Sequence, residues 1–415
     1  MPYTVLRGQF VIRYPDLPRQ GPEPDGDTVK FRPDTPGLVE MLPRRSGRPP
    51  QINARGVSVR LEAIDALETH FAETHQELTG ANAARDALLA RLGFTNVVFF
   101  ADQPNKVASA DADELRGYVL SNGIDANGRM IGFVYPGEPP SADGSSVFLD
   151  DPGVDASVNA SLLRDGLVYP AFYGTLPGSL RVHLAEASRA ARAAGLGIWP
   201  GSTADPATTA TVPDLATLEM LAIWPKLFRR LVPYFASGQT NLDGFDAWLR
   251  ADAVNRDDAL FFLDPPEAGN MHDLIVASGQ RVLMNRWPED FIIEPDPASP
   301  GTPTGPGRFV AGDVAIVAAL PDPVGRDAGA ESATLVNTTA SAIDLAGWQL
   351  GDWAGRRQSL AGSVAGGAAI KLVLSGGLQL PNKGGSLTLF DTTGLTIDHV
   401  TYGQAAAGRT LVFGR

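Results

Sequence analysis

Cysteine is absent from all 415 residues. That excludes structural disulfides and cysteine-ligated zinc, and it leaves the redox compartment open because a cysteine-free chain is stable in either. Long apolar runs are missing too, so no transmembrane segment is expected. The opening stretch Met1 to Phe10 has no long apolar core behind a basic end. As written, the chain reads as soluble and cytoplasmic, or as secreted if a leader was removed before this numbering begins. Positive charge is in deficit, with 34 Lys and Arg against 47 Asp and Glu, a net charge of −13 and a sequence pI near 4.9. A protein that coats nucleic acid by bulk attraction is therefore disfavoured, and any polyanion must be held locally. Histidines number five. His70 and His75 miss the i, i+4 spacing of helical zinc sites, and His183, His272 and His399 read as surface or packing residues. No Gly-rich phosphate loop with a following Lys occurs.

What is present suffices for several cores: 44% hydrophobic residues, 8% aromatic, over a length that predicts two or three domains. Apolar alternation predicts strands at Gly8–Arg13, Thr28–Phe31, Val57–Leu61, Asn96–Phe100 and Met130–Tyr135. Helical spacing marks Asn82–Leu92, Val158–Asp165 and Leu180–Ala194. One helix between the third and fourth strands suits a small closed barrel flanked by helices, assigned to residues 1–200. Gln103–Leu115 and Pro136–Gly153 read as surface insertions, and Gly201–Val212 as a linker. Residues 213–295 read as a helical and mixed connecting region of unknown role, with helices in Leu215–Phe235 and Phe245–Ala253 and a hairpin in Leu274–Met284. Within it, Ile223–Leu231 is basic and apolar and either touches a membrane or a phosphate backbone or, as the simpler expectation, is a helix docked on the barrel with its arginines in water. A Pro/Gly/Thr/Ser linker, Asp296–Gly307, precedes short strands with regular Gly and Asn turns, so residues 308–415 are expected to form a β-sandwich.

The chemistry lies in three places. Asp25-Gly26-Asp27-Thr28 is first of all a turn. If it pairs with the strand that begins near Arg60, Asp27 and Asp65 can share a hard cation, and oxygen-only ligands favour Ca²⁺ or Mg²⁺. Glu68, three residues beyond Asp65, can reach a water on that ion. Arg60 either pairs with a nearby Asp or forks around phosphate oxygens. Arg129, after Gly128 at the start of a strand, is either a solvated arginine or a second clamp. Arg44, Arg45, Arg48 and Arg55 form the best local basic patch, a polyanion contact or a solvated loop. Tyr169, Phe172 and Tyr173 either stack on a base or fill core.

The motifs Asp25-Gly26-Asp27-Thr28-Val29-Lys30, Val59-Arg60-Leu61 leading to Asp65-Ala66-Leu67-Glu68, Asn127-Gly128-Arg129, Val158 to Leu167 and Gly195-Leu196-Gly197-Ile198-Trp199 stand in one order. From about Gly8 to Trp199 the chain thereby resembles the staphylococcal nuclease-like (thermonuclease) domain, an OB-fold barrel with helices. The resemblance implies a calcium-dependent endonuclease of low sequence specificity on DNA or RNA, cutting the 5′-O–P bond and leaving 3′-phosphate ends. It assigns Asp27, Asp65 and the Ala66 carbonyl to Ca²⁺, with Mg²⁺ or Mn²⁺ as substitutes, and Asp25 to outer-shell support. Glu68 becomes the general base and Arg60 and Arg129 the transition-state clamps. Leu67 departs from the proline usual in that family, and the segments before Arg60 and Arg129 are longer. From about Gly312 to Arg415 the chain resembles the lamin tail domain, an immunoglobulin-like sandwich, through Ala333 to Thr339, Ile343 to Leu350 with Trp348 in the core, Gly384 to Asp391 and Ile397 to Tyr402. That resemblance implies a module that binds or tethers a protein or surface partner. The alternatives are a non-cleaving nucleic-acid scaffold and a nuclease effector held off until a signal acts.

Overall fold

Five strands close on themselves in the amino-terminal part of the chain: β1 (Tyr3–Val11), β2 (Thr28–Pro33), β3 (Val57–Leu61), β4 (Glu114–Ile124) and β5 (Met130–Pro136). They run around the barrel in the order β1-β2-β3-β5-β4 and back to β1. The ladders are antiparallel except for β3 with β5, where Val59, Arg60 and Leu61 lie beside Met130, Ile131 and Gly132. The barrel is compatible with an OB-like architecture within a multidomain, β-rich protein. The computed structural model describes residues 3–44, 49–252, 255–294, 313–325, 329–339, 342–375, 377–392 and 396–413. They belong to two compact units, Pro2–Gly301 and Thr302–Arg415. The expected linker Asp296–Gly307 lies outside the described residues.

The fourth barrel strand is not the expected one. Within Asn96–Phe100 only Val98–Phe99 is extended, and it pairs with Val107–Ser109 outside the barrel. Glu114–Ile124 takes the place instead. Its second half is buried on both faces and includes the buried Ser121 and Asn122, which erases the period-2 alternation that betrays a half-exposed strand.

Helices α1 (Leu78–Arg91), α2 (Val158–Arg164) and α3 (Gly178–Ala193) flank the barrel. Ser157 caps α2 by accepting from the Ala160 amide at 3.1 Å. The buried Asn159 then stitches α2 to the sheet. Its amide donates to the carbonyls of Glu62 (2.9 Å) and Gly132 (3.1 Å), and its oxygen accepts from Val134 N (3.0 Å). A buried side-chain amide satisfied on both ends fixes the turn that follows β3.

The expected linker Gly201–Val212 is not a free connector, since Ala204, Ala210 and Val212 are buried and Ala210–Thr211 pairs with Arg281–Val282. The hairpin expected in Leu274–Met284 forms from Ile275–Ser278 and Arg281–Met284, turning at Gly279, whose φ is +58°. Helix α4 (Pro225–Ala236) buries Leu227, Phe228, Leu231, Val232 and Tyr234. These residues share one hydrophobic cluster with Leu67, Tyr169, Ile198 and Trp199, so the stretch beyond residue 213 and the barrel segment are held by common packing. At roughly 1.5–3 kcal/mol for each large apolar side chain removed from water, that cluster is a major part of what holds this unit together.

In the second unit, Val314–Leu320, Ser332–Asn337, Ala369–Val373 and Leu411–Val412 make one four-stranded antiparallel sheet, and Gln349–Asp352, Arg357–Ser359, Gly385–Phe390 and Thr396–Tyr402 another. Side chains of both sheets enter one core around the fully buried Trp348.

Candidate active site

The antiparallel pairing of β2 with β3 and the parallel pairing of β3 with β5 bring the start of β2, the end of β3 and the start of β5 together. Thr28 lies opposite Arg60, and the Leu61 amide donates to the Asp27 carbonyl at 2.8 Å. The Asp27 turn therefore does pair with the Arg60 strand. After Leu61 the chain does not simply run on to Asp65. It turns at Glu62-Ala63, with Ala63 at φ +71°, and Ile64–Asp65 re-extends as a short strand beside Tyr169–Pro170. An alanine in the left-handed region costs about 1 kcal/mol or more. The Ala171 amide donating to the Ala63 carbonyl at 2.9 Å, together with Asn159 on Glu62, holds it there.

A cleft of about 480 Å³ opens at this end, lined among others by Asp25, Asp27, Arg60, Asp65, Glu68 and Arg129. Gly26 lets the acidic turn pack against Ala66 and helix α1, because a Cβ there would stand 2.5 Å from the Ala66 Cβ and 2.8 Å from the Ala84 Cβ. Gly26→Ala is expected to cost about 1–3 kcal/mol of stability. A lowered urea midpoint with an unchanged m-value would report that loss.

The carboxylates crowd one another. Asp27 is half-buried, and burial followed by the negative charge of Asp65 holds its carboxyl above the usual value, against the pull of Arg60, Arg129 and Arg229. Burial, then Asp27 and Glu68, hold Asp25 well above its ordinary value. Burial pushes Glu68 up to about 7, with Asp65 and Asp27 adding and Arg229 opposing. Asp65 is 2% exposed, and its Oδ1 has no hydrogen-bond partner, the nearest ion-pair contact being Arg60 Nη2 at 3.7 Å. Ala66 is buried against Gly26 and is not among the residues lining the cleft.

Among the described residues, no three His, Asp or Glu side chains stand together as an ion-holding group. Of the expected ion ligands, the carboxylates of Asp27 and Asp65 line the cleft, and Ala66, which would supply the carbonyl, does not. An unpartnered buried oxygen beside a second carboxylate raised by burial and by its neighbour's charge is the chemistry of a hard-cation site, and the two carboxylates fit one.

The arginines are held differently from one another. Arg60 is nearly buried and lies over the Tyr173 ring, 4.9 Å from its centroid. Arg129 is aimed by Asp125, whose Oδ2 accepts from Arg129 Nε and whose Oδ1 accepts from Arg129 N, both at 2.8 Å. The sequence reading missed Asp125, although its place four residues before Arg129 is the signal for it.

The simpler expectation, that the arginines of α4 lie in water, is corrected by the structure. Lys226, Arg229 and Arg230, at i, i+3 and i+4, share one helix face, and that face meets the cleft and not water. Arg229 donates to Asp65 Oδ2 at 2.8 Å and to Glu68 Oε1. Lys226 and Arg230 both pair with Asp258, at 2.6 and 2.7 Å.

The chain matches no protein-family model, and no curated protein matches it. Its own geometry therefore carries the functional argument.

Two expected base-stacking residues are removed by burial. Tyr169 and Phe172 are fully buried. The Tyr169 hydroxyl is shared with Ser202 at 2.7 Å and donates to the Ala222 carbonyl at 2.8 Å, so neither ring offers a face to a base. Tyr173 does line the cleft, between Arg60 and Lys226. The basic patch is not brought to the site. Arg44 donates to the Glu40 carbonyl, Arg55 pairs with Asp16 at 2.9 Å, and neither lines the cleft; Arg45 and Arg48 lie outside the described residues.

Proposed function

We propose that this protein is a metal-dependent phosphodiester endonuclease acting on DNA, RNA or both, built on an OB-fold of the staphylococcal nuclease type. The observation that carries the reading is the convergence of Asp27, Asp65, Glu68, Arg60 and Arg129 from four separate segments on one cleft. Asp27, Asp65 and the Ala66 carbonyl would hold the ion, Ca²⁺ by the resemblance and Mg²⁺ or Mn²⁺ as substitutes, with Asp25 supporting from outside. When bound, the ion neutralises charge on a phosphate oxygen and acidifies a water. Glu68 accepts the proton of the water that attacks phosphorus as the P–O bond to the leaving oxygen breaks. Arg60 and Arg129 donate to the non-bridging oxygens, where charge builds in the transition state. Tyr173 keeps the Arg60 plane in place through its ring face. With a net charge of −13, capture of a polyanion falls to the few cations of this cleft.

The second unit we read as an immunoglobulin-like sandwich of the lamin tail kind, a tethering module for a protein or surface. Two four-stranded sheets sharing one core around Trp348 support that reading.

Incubation of the full chain with single- and double-stranded DNA and RNA in Ca²⁺, Mg²⁺ or chelator tests the activity. Fragments in the ion and none in chelator are expected. Cleavage that persists in chelator overturns the mechanism, and tight binding without product over long incubation identifies a scaffold instead.

A further inference from the structure

Arg229 reaches the cleft from α4, outside the barrel. Its guanidinium joins Asp65 Oδ2 to Glu68, so one cation holds both the carboxylate assigned to the ion and the one assigned to the water. We propose that Arg229 is an internal counter-cation that competes with the divalent ion, so that ion binding requires its release and α4 sets the ion affinity of the site. This rests on the reading of Asp27 and Asp65 as ion ligands.

Three observations carry it. First, Asp65 is buried with one oxygen bound to Arg229 and the other without a hydrogen-bond partner. A dication on this carboxylate would stand within a few ångströms of a guanidinium, and beside a carboxylate this buried like charges at that range repel strongly. Second, the neighbours of Arg229 on its helix face are already engaged, since Lys226 and Arg230 both pair with the buried Asp258. Among the described residues Arg229 pairs with the two site carboxylates and not with Asp258, so losing those pairs leaves the anchoring of α4 at Asp258 intact. Third, Pro233 stands four residues after Arg229 inside α4. Proline has no N–H to give the Arg229 carbonyl, so the turn bearing Arg229 lacks one hydrogen bond of a regular helix and yields more easily than its neighbours.

Linkage makes the coupling reciprocal: whatever Arg229 subtracts from ion affinity, the ion subtracts from the hold on Arg229. Calorimetric titration of the full chain with Ca²⁺, with no nucleic acid present, compares wild type with Arg229→Gln. The variant is expected to bind about tenfold more tightly, within the roughly 5–150-fold span of such couplings. In wild type, the side-chain N–H resonance of Arg229, assigned by its loss in Arg229→Lys, is expected to shift with the same midpoint as the heat of Ca²⁺ binding. Equal affinity in a folded variant, or an Arg229 resonance that stays put while Ca²⁺ binds, overturns the competition and leaves the nuclease reading standing. If neither protein binds Ca²⁺, Mg²⁺ or Mn²⁺, both fall together. Should Arg229→Gln fail to fold, the wild-type resonance decides.

Discussion

Glu68→Gln is expected to lower nucleic-acid hydrolysis by about 10²–10⁴-fold, the usual contribution of a positioned general base. Glutamine keeps the shape of the side chain and can still accept from Arg229, but it cannot take a proton. Substrate binding is expected to persist, because the phosphate contacts belong to Arg60 and Arg129. The defect should therefore fall on kcat and leave KM close to wild type. The pH profile supplies a second signature. A base works when deprotonated, so activity is lost as pH falls through the carboxyl's pKa. Burial pushes that carboxyl up to about 7. A bound cation would bring it down, so the acid limb of wild type is expected at or below about pH 7, and whatever activity Glu68→Gln retains should not share it. A variant with wild-type turnover would remove Glu68 from the chemistry.

Asp258→Asn is expected to destabilise the unit Pro2–Gly301 by about 3–5 kcal/mol, as breaking a buried ion pair by removing one partner does. The Asp258 side chain is 2% exposed and faces Lys226 and Arg230, themselves only 10% and 16% exposed. Asparagine leaves two cations against a neutral amide, on the helix that packs the apolar cluster joining the stretch beyond residue 213 to the barrel segment. Burial opposes ionisation of Asp258, yet Lys226 and Arg230 prevail and hold its carboxyl below its ordinary value of 3.8. With the folded value depressed, the stabilisation is complete above about pH 3.8 and is lost as pH falls through the lower folded value. Urea unfolding followed by tryptophan fluorescence should show a wide gap between wild type and variant at pH 7 that narrows as pH falls below 3.8. A gap that does not change with pH would mean that Asp258 acts through packing and not through charge.

The same cluster explains why residues 1–200 are a poor surrogate for the whole chain. Tyr169, Ile198 and Trp199 pack with Trp224, Phe228 and Phe291, and cutting after residue 200 would uncover them. A regulatory role for the segment beyond 213 is better tested by single side chains than by truncation.

Much of the site was legible in the chain because its signals are local. An Asp-Gly-Asp turn, an arginine in an alternating strand with acids five and eight residues on, and an arginine after a glycine each announce themselves within a few positions. The buried strand Glu114–Ile124 was not legible, because Ser121 and Asn122 interrupt an alternation that burial on both faces had already blurred. Tyr169 and Phe172 were ambiguous for a related reason: aromatic spacing names a possible face but not whether that face meets a base or the core.

By itself the sequence determined the strand and helix chemistry, the closed barrel as an expectation, and the inventory of acids and arginines. Only the tertiary structure decided which cation meets which acid. Arg229 lies 164 residues from Asp65 and 161 from Glu68, and nothing in a local pattern links them. Helical spacing showed that Lys226, Arg229 and Arg230 share a face. Whether that face met water or carboxylates depended on how α4 packs its apolar side, because burial is what turns a distant pair of charges into a strong one.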